Sequence, residues 1–400
     1  MTIERRSLTL FESLFYMRQV GPVVASLTLE GQVDAAALDR AVRLLQRDYP
    51  LLRCSFRRTD DDVALVLADE VPGLTVVPAG WNLLTNELNV PLDQDRRLSR
   101  ISLSQAAGSA VLTLANDHAG SDARLNTLLL HRLLEYYTDL LRGIEPPPTG
   151  RSAFEGSLEE ALLAAYEPGP VQPPPDTDPP MTLAGAATAP GPLGVRSLSY
   201  EQDTTAALIA ASRRGGVSLT NLLTGAMACA VRAQFPDAGP LPVSAAVVVD
   251  LRPRVNPPIA PDALFCCAAR LVCATHVDAA DKPVEVGRRI GTQLKAALEQ
   301  EEIQHRLVAQ RGVGKPTPLP PISFMVSNIG IVEDYPVPDG LRIIDSRFAT
   351  TSRGPVPTLF GSTANGRLTL DLVYDTAFHR ADVIDEVVKH FEASLLGSEH

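Results

Sequence analysis

The chain has 400 residues, too many for one small module and enough for two or three domains at the usual size. With 45% hydrophobic and 21% charged residues it can bury large cores, and it contains no apolar run of the roughly 18 residues that a membrane-spanning helix needs. A formal net charge of -11 argues against nucleic acid or an anionic membrane as the main partner, because both require basic surface; it leaves room for a local basic passage that admits a phosphorylated carrier.

In chain order, Met1 to Ser7 leads into an apolar stretch that Glu12 interrupts, with no small-residue cleavage site after it. That pattern predicts no signal peptide; the expected compartment, the cytoplasm, follows from the reduced cysteines. Val24 to Glu30 alternates like a strand, Asp34 caps a helix over 35–46, and residues 51–56 and 63–67 read as strands. Two further strands are expected at 101–104 and 110–114. A long helix follows over about 122–141, with Leu125, Leu129, Leu133, Tyr136 and Leu140 on one face.

Of the 33 prolines, 12 fall between Pro146 and Pro192, including the runs 146–148, 173–175 and 179–180. Proline removes backbone donors and blocks helix and sheet interiors, so 146–194 reads as a connector. Inside it, Ser157 to Tyr166 reads as one short helix with a serine cap and a first-turn glutamate pair. The connector separates an N-terminal half, 1–145, from a C-terminal half, 195–400. In the latter, helices are expected at 204–213, 219–233, 283–298 and 381–396, and strands at 243–249, 270–275, 322–326, 341–344 and 367–374. Two α/β halves joined in this way place the expected site in the cleft between them.

The five cysteines, Cys54, Cys229, Cys266, Cys267 and Cys273, form no CxxC pair and mostly sit among apolar residues, so buried reduced thiols are expected and no disulfide framework or metal site. Cys273 is close to His276 in sequence, but on a strand the two point to opposite faces. No Gly-x-Ser-x-Gly elbow is present. Arg311-Gly-Val-Gly-Lys315 has the look of a phosphate loop, but its glycines are too close together and Pro316 follows the lysine; it reads as a loop.

Among seven histidines, His118 and His131 have a carboxylate four residues on. His131 lies within the long helix, and its Glu135 is an ordinary surface partner. His118 instead follows a strand and precedes a helix, in a turn that Gly120 lets bend and that Ser121 or Asp122 can cap. A histidine there can take a proton from a hydroxyl or amine near neutral pH. Spacing alone leaves the plainer alternative open, in which Asp122 is only a helix cap and His118 only a loop residue.

The segment Leu114-Ala-Asn-Asp-His118-Ala-Gly-Ser-Asp122 resembles the HxxxD core of the condensation-domain superfamily, most of all the polyketide-associated acyltransferases of the phthiocerol/phthiodiolone dimycocerosyl transferase type. Leu27 to Asp39 and Tyr49 to Arg53 are similar to that family's opening elements. Val247-Val-Val-Asp-Leu-Arg-Pro-Arg254 resembles its Asp-Leu-Arg segment, Ser327-Asn-Ile-Gly330 its Ser-Asn-x-Gly segment, and Gly366 to Asp375 its closing strand. The similarity runs in order along nearly the whole chain. Two positions depart from the frequent HHxxxDG form: Asp117 replaces the first histidine and Ala123 the glycine. Asp117 could raise the His118 pKa or change the choice of acceptor, and Ala123 narrows the freedom of the turn.

The resemblance implies an α/β fold of two-layer α+β type: two chloramphenicol-acetyltransferase-like subdomains in a V with a tunnel between them. It implies His118 as general base, Asp122 as its structural partner, and Arg252 (Arg254 second) as the arginine that pairs with Asp122 and stitches the halves. Asn328 is a candidate for substrate or oxyanion binding; a plain turn asparagine before Gly330 is the alternative. The donor implied is acyl-CoA or a phosphopantetheinyl acyl carrier protein, with no tightly bound cofactor and no metal. The acceptor is a hydroxyl of a polyketide or glycolipid, and a carrier protein or polyketide synthase is a partner of a monomeric enzyme. Two other readings stand beside this O-acyltransferase: an amide-forming condensation domain of peptide-synthetase type, and a non-catalytic carrier-docking protein, which the departures at Asp117 and Ala123 motivate.

Overall fold

A computed structural model of the chain describes residues 5–397 apart from 61, 69–70, 81, 152–153, 155, 171–177, 237–238 and 314–319. The described residues form, in chain order, β1 (Arg5–Ser7), α1 (Leu10–Met17), β2 (Pro22–Glu30), α2 (Ala35–Asp48), β3 (Cys54–Arg58), β4 (Val63–Leu67), β5 (Thr75–Val77), α3 (Leu83–Asn89), β6 (Ser99–Ala106), β7 (Ser109–Asp117), α4 (Ala123–Leu141) and α5 (Leu158–Ala165). They continue with β8 (Leu193–Tyr200), α6 (Gln202–Arg214), α7 (Leu219–Arg232), β9 (Leu241–Asp250), β10 (Ala268–Val277), α8 (Pro283–Glu299), α9 (Glu302–Val313), β11 (Phe324–Ile331), β12 (Arg342–Thr350), β13 (Thr358–Ala364), β14 (Arg367–Asp375) and α10 (Ala381–Leu396). This is the expected mixed α/β class. Among the described residues no helix is long and apolar enough to cross a membrane.

The chain packs as two units that do not follow its order. The first holds residues 1–165, 251–267 and 332–351; the second holds 166–250, 268–331 and 352–400. The division expected at 145 and 195 therefore differs from the packing, and the reason is local. β12 pairs antiparallel with β2, from Arg342 opposite Glu30 to Thr350 opposite Val23, and this draws 332–351 into the first unit.

In the first unit a five-stranded sheet runs in the order β12-β2-β7-β6-β5. Leu27, Leu29, Leu112 and Leu114 of its strands bury against Leu38, Val42 and Leu45 of α2 and Leu125, Leu129 and Leu133 of α4. Asp34 caps α2 by accepting from the Ala36 and Ala37 amides. Each large apolar side chain that this face of α4 takes from water contributes about 1.5–3 kcal/mol. A smaller sheet, β1-β4-β3, covers a second core in which Cys54, Phe56, Leu65, Leu98 and Ala119 meet Leu8, Phe15 and Tyr16. Ala119 belongs to the turn after β7, so this core lies under that turn.

In the second unit a six-stranded sheet runs β10-β9-β11-β13-β14-β8, with β11 parallel to both β9 and β13. Helices α7 and α8 approach at two glycines: a Cβ on Gly225 would stand 2.0 Å from the Pro283 carbonyl oxygen, and one on Gly287 2.4 Å from that of Asn221.

The expected elements are present, with one changed in kind. The strand expected at 51–56 starts as a 3-10 turn, Pro50–Arg53, because proline fixes the first residue in a helical φ; the strand begins at Cys54. Of the proline runs, 173–175 lies outside the described residues, as do Gly314, Lys315 and Pro316 of the loop read at 311–316; Arg311, Gly312 and Val313 end α9.

Candidate active site

His118 follows the last residue of β7 and opens a turn into α4. Its Nδ1 lies 3.0 Å from the carbonyl oxygen of Ser121. A carbonyl only accepts, so the proton sits on Nδ1, and in the neutral ring Nε2 keeps its lone pair. One face of the imidazole stacks on Phe15, with ring centroids 4.5 Å apart and planes at 25°. The Cys266 sulfur lies 3.8 Å from Nδ1. Burial pushes the His118 pKa below its usual 6.5, against the raising effects of its hydrogen bonds and the Asp122 charge. The ring is thus neutral near pH 7 and able to accept a proton at Nε2.

Asp122 is the N-cap of α4 and does not bond the imidazole. Its Oδ1 accepts from the Leu125 amide at 3.0 Å; its Oδ2 accepts from Arg252 Nη1 at 2.8 Å and from the Cys267 amide at 2.7 Å. Burial alone would raise its pKa, but the Arg252 charge and these amides outweigh burial and hold it below 3.8. Arg252 also donates to the Phe265 carbonyl at 3.2 Å. The pairing joins residues 130 apart in the sequence, one from each of the expected halves, and both belong to the first unit. Arg254, two residues on, is exposed. The Asp122 oxygens thus serve as helix cap and turn anchor, and the bond that orients His118 is the one to the Ser121 carbonyl.

Several supporting residues give no signal of their own in the sequence. Asn126 accepts from Ser121 Oγ and from Asn116 Nδ2, each at 2.7 Å, and donates to the Val23 carbonyl at 2.9 Å. This buried set ties the turn to both neighbouring strands. Asp117 is tied off: its carboxylate accepts from Gln94 Nε2 at 2.7 Å and from the Ala119 amide at 3.0 Å, while burial pushes its own pKa up. The upward shift of His118 expected from Asp117 is not met, since the net direction is down and the raising charge is that of Asp122. Gly120 is needed for space more than for bending, because a Cβ there would stand 2.8 Å from Leu51 Cδ1.

Asn328 belongs to the second unit. Its side-chain oxygen accepts from the Gly330 amide at 3.0 Å and its nitrogen donates to Thr220 Oγ1 at 3.1 Å, at the register shift between β11 and β13. Those bonds hold the bulge. His131 pairs with Glu135 at 3.5 Å on the side of α4, as its helical spacing predicts. Cys54, Cys229 and Cys273 have thiols that burial pushes up to about 12, which makes them poor nucleophiles. The cysteine that the fold brings beside His118 is Cys266, whereas proximity in the sequence singles out Cys273.

Residues 189–373 match the family model described as "Phthiocerol/phthiodiolone dimycocerosyl transferase C-terminus". A curated phthiocerol/phthiodiolone dimycocerosyl transferase of Mycobacterium leprae is 23% identical, the match covering 86% of this chain and 86% of the relative. Among solved structures, polyketide synthase associated protein 5 from Mycobacterium tuberculosis superposes with a TM-score of 0.77 at 21% identity, over 98% of this chain and 97% of that one. The first condensation domain of the CDA synthetase gives 0.73 at 17% identity, over 99% and 96%. The C-terminal part of the chain thus matches the phthiocerol/phthiodiolone dimycocerosyl transferase family model, the chain as a whole is similar to curated transferases of that type, and its fold is the one seen in the polyketide synthase associated protein and in condensation domains.

Proposed function

We propose that the chain is an O-acyltransferase that moves an acyl group from a thioester of coenzyme A or an acyl carrier protein to a hydroxyl of a polyketide or glycolipid, with His118 as general base. The observation that carries this reading is the state of the imidazole: Nδ1 is tied to the Ser121 carbonyl, Nε2 keeps its lone pair, and burial keeps the ring neutral. The transferase named among the relatives and the polyketide synthase association named for the structural neighbour support the substrate class.

A thioester is already activated, so the protein has to bring an alcohol to it and remove one proton. Nε2 takes the hydroxyl proton as the oxygen attacks the thioester carbonyl. The tetrahedral intermediate collapses, the carbon–sulfur bond breaks, and the leaving thiolate takes the proton back from the imidazolium. No acyl-enzyme forms and no redox partner is needed. A positioned base of this kind contributes roughly 10²–10⁴-fold, and holding the reactants together adds further rate. Asp122 and Arg252 act at one remove, by fixing the helix start that carries the turn.

The test is a panel of acyl-CoA and acyl-carrier-protein thioesters offered to purified protein with alcohols and amines in competition, read by free thiol release and product mass. Ester and thiol in equal amounts are expected. Amide as the sole product, or no turnover with any donor, overturns the proposal in favour of a condensation domain or a docking protein.

A further inference from the structure

We propose that Phe15 is a positioning residue for His118, and that the connector helix holds it in place through Glu159. The inference rests on the reading of His118 as the base and adds the element that sets it.

Helix α1 has eight residues, too few to persist alone in water. Yet it is fixed at three points. Thr9 and Glu12 form a reciprocal capping box: the Thr9 amide donates to Glu12 Oε2 at 2.9 Å, and the Glu12 amide donates to Thr9 Oγ1. Glu12 is buried and accepts two hydrogen bonds of 2.8 Å from Arg6, so its charge is neutralised. The Phe11 amide, one of the first-turn donors that a helix leaves without an internal partner, donates at 3.1 Å to Glu159 Oε2, 148 residues along the chain at the start of α5.

These anchors fix the direction in which α1 presents its aromatic side. Phe11 meets Phe15 edge to face at 5.2 Å, Tyr16 meets Phe56 likewise at 5.2 Å, and Phe15 lies flat on the His118 ring. With Ser121 at its Nδ1 edge and Phe15 on its face, the imidazole has its plane and its tautomer set by separate contacts. A ring face against the imidazole also excludes water, and it remains a favourable neighbour when the ring becomes cationic during proton transfer. Three other polar groups come from the same turn or lie beside it. Asp122 is spent on Arg252, the Cys266 thiol stands at Nδ1, and Asp117 is bonded to Gln94 and Ala119. The competing explanation is that Phe15 only fills the small core over Phe56 and Leu65. That role predicts lost stability and an unchanged pH profile.

The experiment measures kcat and KM against pH for the full-length protein and for Phe15→Ala, Phe15→Leu, Phe15→Tyr and Glu159→Gln, with folding checked by circular dichroism. For Phe15→Ala the expected result is a kcat at least about tenfold lower, in line with the sensitivity of oriented reactants to small displacements, with an acid limb of kcat/KM that moves up toward 6.5 and a donor KM within about twofold of the parent. Phe15→Tyr restores both, and Glu159→Gln shifts them in the same direction by less. Phe15→Leu keeps apolar volume without the ring face, so it serves if the alanine variant does not fold. A folded Phe15→Ala or Phe15→Leu protein with the parent acid limb, or with a change in KM alone, overturns the inference. Undiminished turnover by His118→Ala is a separate result, which removes the base itself.

Discussion

Arg252 Nη1 lies 2.8 Å from Asp122 Oδ2, and the two side chains are 5% and 4% exposed. Because the pair is this deeply buried, removing one member leaves the other charge without compensation in low dielectric. Arg252→Ala is expected to destabilise the protein by about 3–5 kcal/mol, whereas an exposed pair such as Arg380 with Asp382 is worth little. Thermal unfolding of Arg252→Ala and Arg380→Ala side by side checks the contrast. The sign with pH follows from Asp122, whose folded pKa lies below 3.8: the stabilisation is present above 3.8 and is lost as pH falls through the folded value.

The pH dependence of turnover should follow His118. Its pKa is lowered from 6.5, so the base is neutral down to a pH below 6.5 and the acid limb of kcat/KM should fall there. Titration of the imidazole by NMR checks the same value without substrate. A limb above 6.5 contradicts the burial account.

Gly120→Ala should disturb the turn by crowding, since the new methyl would stand 2.8 Å from Leu51 Cδ1. A cost of about 1–3 kcal/mol is expected from forcing extra volume into packed surroundings. Adding Leu51→Ala should relieve part of the crowding, and a double-mutant cycle by denaturant unfolding measures that relief. Strict additivity of the two changes contradicts the contact.

Alkylation separates the thiols. Cys54, Cys229 and Cys273, each pushed up to about 12, should react with iodoacetamide at neutral pH far more slowly in the folded protein than after unfolding. Mass-resolved labelling over time reads this site by site.

Much of the turn that carries His118 is legible in the sequence. A strand, HxxxD and a long apolar-faced helix predict a turn at 118–122, and Asp122 is the cap of α4. The pairing of Arg252 with Asp122 follows from resemblance alone, because 130 residues separate the two and no local pattern joins them. Helix α1 is absent from the expected elements although Thr9-x-x-Glu12 is a capping-box spacing; Glu12 interrupts the apolar stretch because it closes the box. Strand β13 is absent for the opposite reason: every residue from Thr358 to Ala364 is buried, so no polar alternation marks it. Phe15, Asn126 and Cys266 carry no signal in spacing, because what gives them a role is contact made by folding.

The most direct measurement compares ester formation by the parent protein and by His118→Gln, under saturating thioester and alcohol at a pH of about 7.5, where the imidazole is neutral. A fall in kcat of roughly 10²–10⁴-fold, with thioester binding and the unfolding midpoint retained, is the predicted result. Ester formation at the parent rate by the folded variant contradicts the central claim.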